Sequence, residues 1–246
     1  MRKQYWFIIL TYIIMQFSAL IAIPLLFKFK FGYAGGQPTD ENMLHAQGLW
    51  SVISFIACLV VVLLILRTVP KETLRNGQKD SIGLSILWAI AGFFIALFSQ
   101  GIAGSIEYYV FGIGRESENT QAILDVIQAV PLMIIVSSVI GPILEEIIFR
   151  KIIFGALYEK TNFFFAGLIS SVIFGIVHAD LKHLLLYTAM GFTFAFLYAR
   201  TKRIWVPIFA HLMMNTFVVI MQLEPVRNYL EQQSTQMQLI IGGLLL

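Results

Sequence analysis

The sequence holds a single cysteine, Cys58, among its 246 residues. One cysteine excludes an intramolecular disulfide and a thiolate cluster, and within an apolar run Cys58 reads as a small buried side chain. Charge is also scarce. Asp, Glu, Lys and Arg make up 13% of the chain against 58% hydrophobic residues, and the mean hydropathy is +0.80. A soluble domain carries about 25% charged residues, so this composition excludes that class. What is present is apolar bulk, including 21 phenylalanines, which serve a lipid-facing surface as well as a packed interior. The chain is expected to be an all-α polytopic integral membrane protein. In a soluble domain a net charge of +3 would suggest an anionic partner; here the distribution of charge between loops reports topology, and no nucleic-acid partner is expected.

The apolar spans run over 5–27, 49–66, 81–104, 122–157, 163–178, 184–198 and 205–223, with 239–246 too short to be a secure eighth. That gives seven or eight transmembrane helices in a single membrane domain over 1–246, with a polar core in 122–223. The first span is too long for a cleaved leader. Residues 31–48, with Gly35, Gly36, Pro38 and Asp40, and residues 105–121, with Tyr108 and Tyr109, read as exposed loops; His45 falls in the first. The span 122–157 would be about 54 Å long as a straight helix against a hydrocarbon thickness of about 30 Å. It must tilt or break, and Pro131 and Gly141-Pro142 are the break points. A proline there frees the carbonyl four residues earlier. With the N-terminus inside, the cytoplasmic segments hold twelve lysines and arginines and the opposite side five, so the expected orientation is N-terminus cytoplasmic, in the cell membrane.

Ionisable groups inside such spans are costly, by roughly 2.5–3.5 kcal/mol each on insertion scales, and so mark functional sites. Three sets occur: Glu145-Glu146 with Arg150, His178, and His211 with Asn215. Adjacent residues on an α-helix point about 100° apart, so Glu145 and Glu146 face differently. Glu146 precedes Arg150 by four residues, the favourable order for an ion pair, which leaves Glu145 the freer carboxylate. His211 and Asn215 share a face at the same spacing, and Phe174 shares one with His178. A carboxylate and an imidazole about one water, with a second imidazole and an amide to meet a developing oxyanion, outline a hydrolase. The same groups also serve a transporter or proton relay, or hold helices together in a non-catalytic immunity or scaffold protein. His183, Asp180 and Tyr187 read as turn or interfacial residues. At about 1.5 Å per residue, His178 lies about 22 Å and His211 about 12 Å from the cytoplasmic ends of their helices, so the two must be brought together for one site to form.

Glu145-Glu146-Ile147-Ile148-Phe149-Arg150 fits EExxxR, Phe174 to His178 fits FxxxH, and His211 to Asn215 fits HxxxN. Three such motifs in order on successive helices resemble the CPBP family, also called Abi or CAAX protease and bacteriocin-processing enzymes. The resemblance covers about residues 142–215; Lys151, where many relatives have glycine, departs from it. It implies an intramembrane endopeptidase acting on a membrane protein or peptide in the bilayer. Glu145 and His178 would activate water, His211 and Asn215 would stabilise the oxyanion, and Glu146, Arg150 and Phe174 would support them. The HExxH pattern is absent, and a glutamate-type reaction without a cofactor is favoured; zinc, if used, would be held by Glu145, His178 and His211.

Overall fold

The computed structural model describes residues 2–29, 39–70, 74–114 and 116–223, with 226, 228–229 and 232–233 beyond them. Among these residues the regular structure is entirely helical. The tail 239–246, the glycines at 35 and 36, Lys30, Lys71, Arg115 and Arg227 lie outside the described residues.

Helix α1 (Lys3–Lys28) and α2 (Asp40–Arg67) pair with each other, α3 (Ile82–Phe111) packs against both α7 (Leu184–Thr201) and α8 (Trp205–Gln222), and α6 (Phe163–Val177) packs on α7. Helix α4 (Glu118–Ala129) is short. Between it and α6 runs α5, a continuous helical segment over 133–158. Helices α1, α2, α3 and α8 are each long and apolar enough to cross a membrane, and their outward faces carry exposed side chains such as Phe17, Leu20, Phe94 and Phe98. That is the surface a lipid solvent requires, and the protein is a polytopic membrane protein.

Side-chain caps decide where several helices begin. Thr39 accepts from the Asn42 amide, Ser81 from Leu84, Ser117 from Thr120 and Asn162 from Phe165. Two expected loops shrink accordingly. Thr39-Asp40-Glu41-Asn42 has turn chemistry, but Thr39 spends it as an N-cap with Asp40 and Glu41 in the first turn, so α2 takes in His45. Tyr108 and Tyr109 lie within α3, which ends only at Gly112, where φ is +67°.

The long span breaks at one of its two prolines. Val130 is extended (φ −136°, ψ 91°) because the ring of Pro131 disfavours helical geometry in the residue before it. At Gly141-Pro142 the helix continues. It widens instead: Val136–Ile140 and Glu146–Phe154 are wound as π-helix, separated by the α-helical Gly141–Glu145. The Gly141 amide reaches back five residues to Val136 O. In that register the missing N–H of Pro142 would have met Ser137 O, and the Asn215 side chain supplies the donor instead, Nδ2 to Ser137 O at 3.1 Å. The freed carbonyl is therefore five residues before the proline, one more than α-geometry would give.

Candidate active site

Glu145 and Glu146 sit where α5 passes from α to π winding, and they meet the two sides of one ring. His211 Nδ1 lies 2.8 Å from Glu146 Oε1, and His211 Nε2 lies 3.6 Å from Glu145 Oε2. Glu146 Oε1 also faces Arg150 Nη1 at 3.2 Å. Glu146, Arg150 and His211 are all buried, whereas the Glu145 side chain keeps 19% of its surface open. One carboxylate is thus enclosed with two basic groups and its neighbour opens on a cavity.

Arg150 is held by π-faces as much as by its acid. Its guanidinium carbon lies 4.3 Å from the Phe174 centroid and 5.2 Å from that of Phe194, and Nη2 has no hydrogen-bond partner among the described residues. Cation–π attraction is strongest where water is excluded, as here. Phe194 also stacks on His211, with centroids 4.5 Å apart and planes 19° apart.

His178 follows α6 directly. Its Nδ1 lies 2.7 Å from Phe174 O; a carbonyl only accepts, so Nδ1 carries the hydrogen and Nε2 is left for other work. Phe174 contacts both histidines, with centroids 4.4 Å from His178 and 5.9 Å from His211. The two rings are therefore brought together about one phenylalanine. Asn215 lies one turn beyond His211 with one Nδ2 hydrogen committed to Ser137 O. Glu145, His178, His211 and Asn215 all line one cavity of about 520 Å³.

Several residues here give no usable signal in the sequence. Tyr187, read as interfacial, stacks on His178 (centroids 4.2 Å, planes 28° apart), and its hydroxyl meets Ser117 Oγ at 3.1 Å and Asn119 Nδ2 at 3.2 Å. His183, read as a turn residue, is buried with Nδ1 2.8 Å from Glu107 Oε2, and Glu107 Oε1 accepts the Leu186 amide. An unmatched acid in α3 and an unmatched histidine after α6 were the only hint of that pair. Tyr12 of α1 reaches the cavity wall beside Phe149, which no motif indicates.

As a metal centre the donors fit poorly. His211 with Glu146 behind it resembles a ligand and its outer-shell carboxylate, but among the described residues no three His, Cys, Asp or Glu side chains converge to hold an ion.

The family described as Type II CAAX prenyl endopeptidase Rce1-like matches residues 127–217, which contain all three motifs. Over 224 residues, 89% of this chain and 90% of the relative, the sequence is 33% identical to the membrane-embedded CAAX protease MroQ of Staphylococcus aureus (strain USA300). The chain belongs to the Rce1-like CAAX protease family. Within that family it is 98% identical, over the full 246 residues of both chains, to YdiL of Bacillus subtilis (strain 168), named there as a candidate membrane peptidase. It is 26% identical to YxdF of Lactococcus lactis subsp. lactis (strain IL1403) over 162 residues, 65% of this chain and 89% of the relative. No solved structure matches the chain. As a family member it is a membrane peptidase of the CAAX-protease type, the family expected from the EExxxR, FxxxH and HxxxN motifs.

Proposed function

We propose that the protein hydrolyses a peptide bond of a membrane-associated protein or peptide with water activated by Glu145. The observation that carries this is the division of labour between adjacent carboxylates: Glu146 is enclosed by Arg150 and His211, while Glu145 opens on the cavity that His178, His211 and Asn215 also line. Glu145 takes one proton from water, and His178, its Nδ1 engaged on Phe174 O, accepts at Nε2 a hydrogen bond from the hydrogen that stays on the oxygen. The hydroxide adds to the carbonyl carbon. His211 from Nε2 and the remaining Nδ2 hydrogen of Asn215 donate to the oxyanion. Glu145 then delivers its proton to the leaving amine as the C–N bond breaks. No step passes through a metal.

The test is comparative mass spectrometry of membrane and secreted peptides from cells carrying the parent, Glu145→Gln or Glu146→Gln. Glu145→Gln should lower product by about 10²–10⁴-fold, the range for loss of a general base, with unchanged thermal stability; Glu146→Gln should lower stability and activity together. Activity that persists in Glu145→Gln and vanishes in Glu146→Gln would reverse the two roles. Solute flux dependent on Glu145 with no cleaved peptide would point to a transporter. Loss of cleavage with chelator, restored by stoichiometric zinc, would replace the metal-free route.

A further inference from the structure

The bundle has two chemically distinct poles, and the cavity opens at one of them. At the first pole, Arg200 binds Asp80 through Nη1 at 2.9 Å, and Arg203 Nε donates to Asp80 O. Arg75 and Lys202 sit over the Tyr158 ring at 4.1 and 5.5 Å, and Arg75 also donates to Thr161 O. These contacts gather the ends of α5 and α7 and the starts of α3, α6 and α8 under an excess of cations. At the opposite pole, where α3 ends and α4 begins, the charges among the described residues are mostly carboxylates: Glu116 and Glu118 are exposed, Glu107 and Asp180 buried. The cation Lys182 there is paired with Glu118 at 2.6 Å.

The cavity runs from Glu145 to this second pole. Its wall includes Gln16, Gln100, Asn119, Gln121 and Gln222, and of these Gln121 and Gln222, together with Glu116, lie exposed at the surface. The Arg75–Lys202 cluster takes no part in the wall. Basic segments stay on the cytoplasmic side of a membrane protein while acidic ones influence orientation little, so the cation-rich pole is the cytoplasmic one. The amide and acidic mouth faces the other way. Side-chain amides that both donate and accept suit an extended peptide backbone, and the exposed Glu116 carboxylate at the rim disfavours an acidic one.

We propose that the cavity is reached from the extracytoplasmic face, and that the substrate is an uncharged or basic segment of a membrane-inserted peptide or protein exposed on that face. The substrate half of this inference rests on the peptidase mechanism proposed above; the direction of opening does not.

The two are separated by cysteine labelling. In a Cys58→Ala background, Gln121→Cys at the mouth and Thr161→Cys at the basic pole are treated in intact cells with a membrane-impermeant maleimide. Gln121→Cys should label in intact cells and Thr161→Cys only after lysis, in the Glu145→Gln background as in the parent. The reverse pattern, or equal labelling of both, overturns the direction of opening whatever the enzyme cleaves. In cells with active enzyme, labelling Gln121→Cys should stop release of the cleaved peptides found by mass spectrometry, relative to the same unlabelled variant. Continued release from fully labelled Gln121→Cys would overturn the substrate assignment. If no variant yields cleaved peptide, the peptidase mechanism fails while the labelling result still stands.

Discussion

Arg150 illustrates how a single side chain can be both costly and necessary. A guanidinium in hydrocarbon surroundings is tolerated because Glu146 lies 3.2 Å away and the Phe174 and Phe194 rings cover it. Such a buried pair adds little net stability over a well-packed apolar substitute, yet breaking it from one side is expensive. Arg150→Met should therefore lower stability by about 3–5 kcal/mol, read as a fall in thermal midpoint of the detergent-solubilised protein. Glu145→Gln, partly exposed and without a hydrogen bond from Arg150, should leave the midpoint nearly unchanged; equal losses would show that Glu145 is as structural as its neighbour. The Glu146–Arg150 contact could be anticipated from their i, i+4 spacing. The hydrogen bond from His211 to Glu146 could not, because 65 residues separate the partners and no local pattern encodes which long-range neighbour a buried acid finds.

At the level of single elements, α5 is where the sequence misleads most. Gly141-Pro142 looks like a break, and α-helical phase has Glu145 and Glu146 facing differently. The π winding removes the first expectation, since the widened register absorbs the proline ring, and the second holds: the two carboxylates face differently and so bracket the His211 imidazole. Such windings carry no composition signal, whereas the spans themselves did, since apolar length is written directly in the residues. The proline and Asn215 are coupled through one carbonyl. Asn215→Ala should cost about 1–3 kcal/mol by leaving Ser137 O without a donor. Pro142→Ala restores a backbone N–H at that register, so the double variant should lose less than Asn215→Ala alone. Additive losses in thermal midpoint would refute that link.

For the molecule as a whole, the carboxylate-rich pole is fastened by the His183–Glu107 contact, which joins the end of α3 to the turn between α6 and α7. Burial by itself lowers the His183 pKa, but the hydrogen bonds to Glu107 and Glu116 O and the nearby Asp180 charge outweigh it, and the net direction is upward. A raised folded-state pKa means that the stabilisation is fully present below the ordinary imidazole value of about 6.5 and is lost as pH rises through the folded-state value. The thermal midpoint should thus fall over the range just above pH 6.5, and His183→Gln should flatten that dependence. A midpoint that rises across the same range in the parent alone would contradict it. The pairing lay beyond sequence reasoning because each partner, taken singly, resembles an ordinary interfacial charge.

A π turn contains one residue more than the α turn it replaces. Each of the two windings in α5 therefore behaves as an inserted residue that the helix has accommodated without breaking. Removing any one residue from 136–140 would let that segment relax to α-geometry with the turns on either side kept in phase, whereas removing one from the α-helical Gly141–Glu145 would turn the two sides against each other by about 100° and shift them by about 1.5 Å. The first deletion keeps Glu145 and Glu146 beside His211, and the second parts them from it. Length is therefore constrained unevenly in this helix: a single-codon deletion in a π winding is absorbed, and one in the α-helical turn that carries Pro142 between the windings is equivalent to losing both carboxylates.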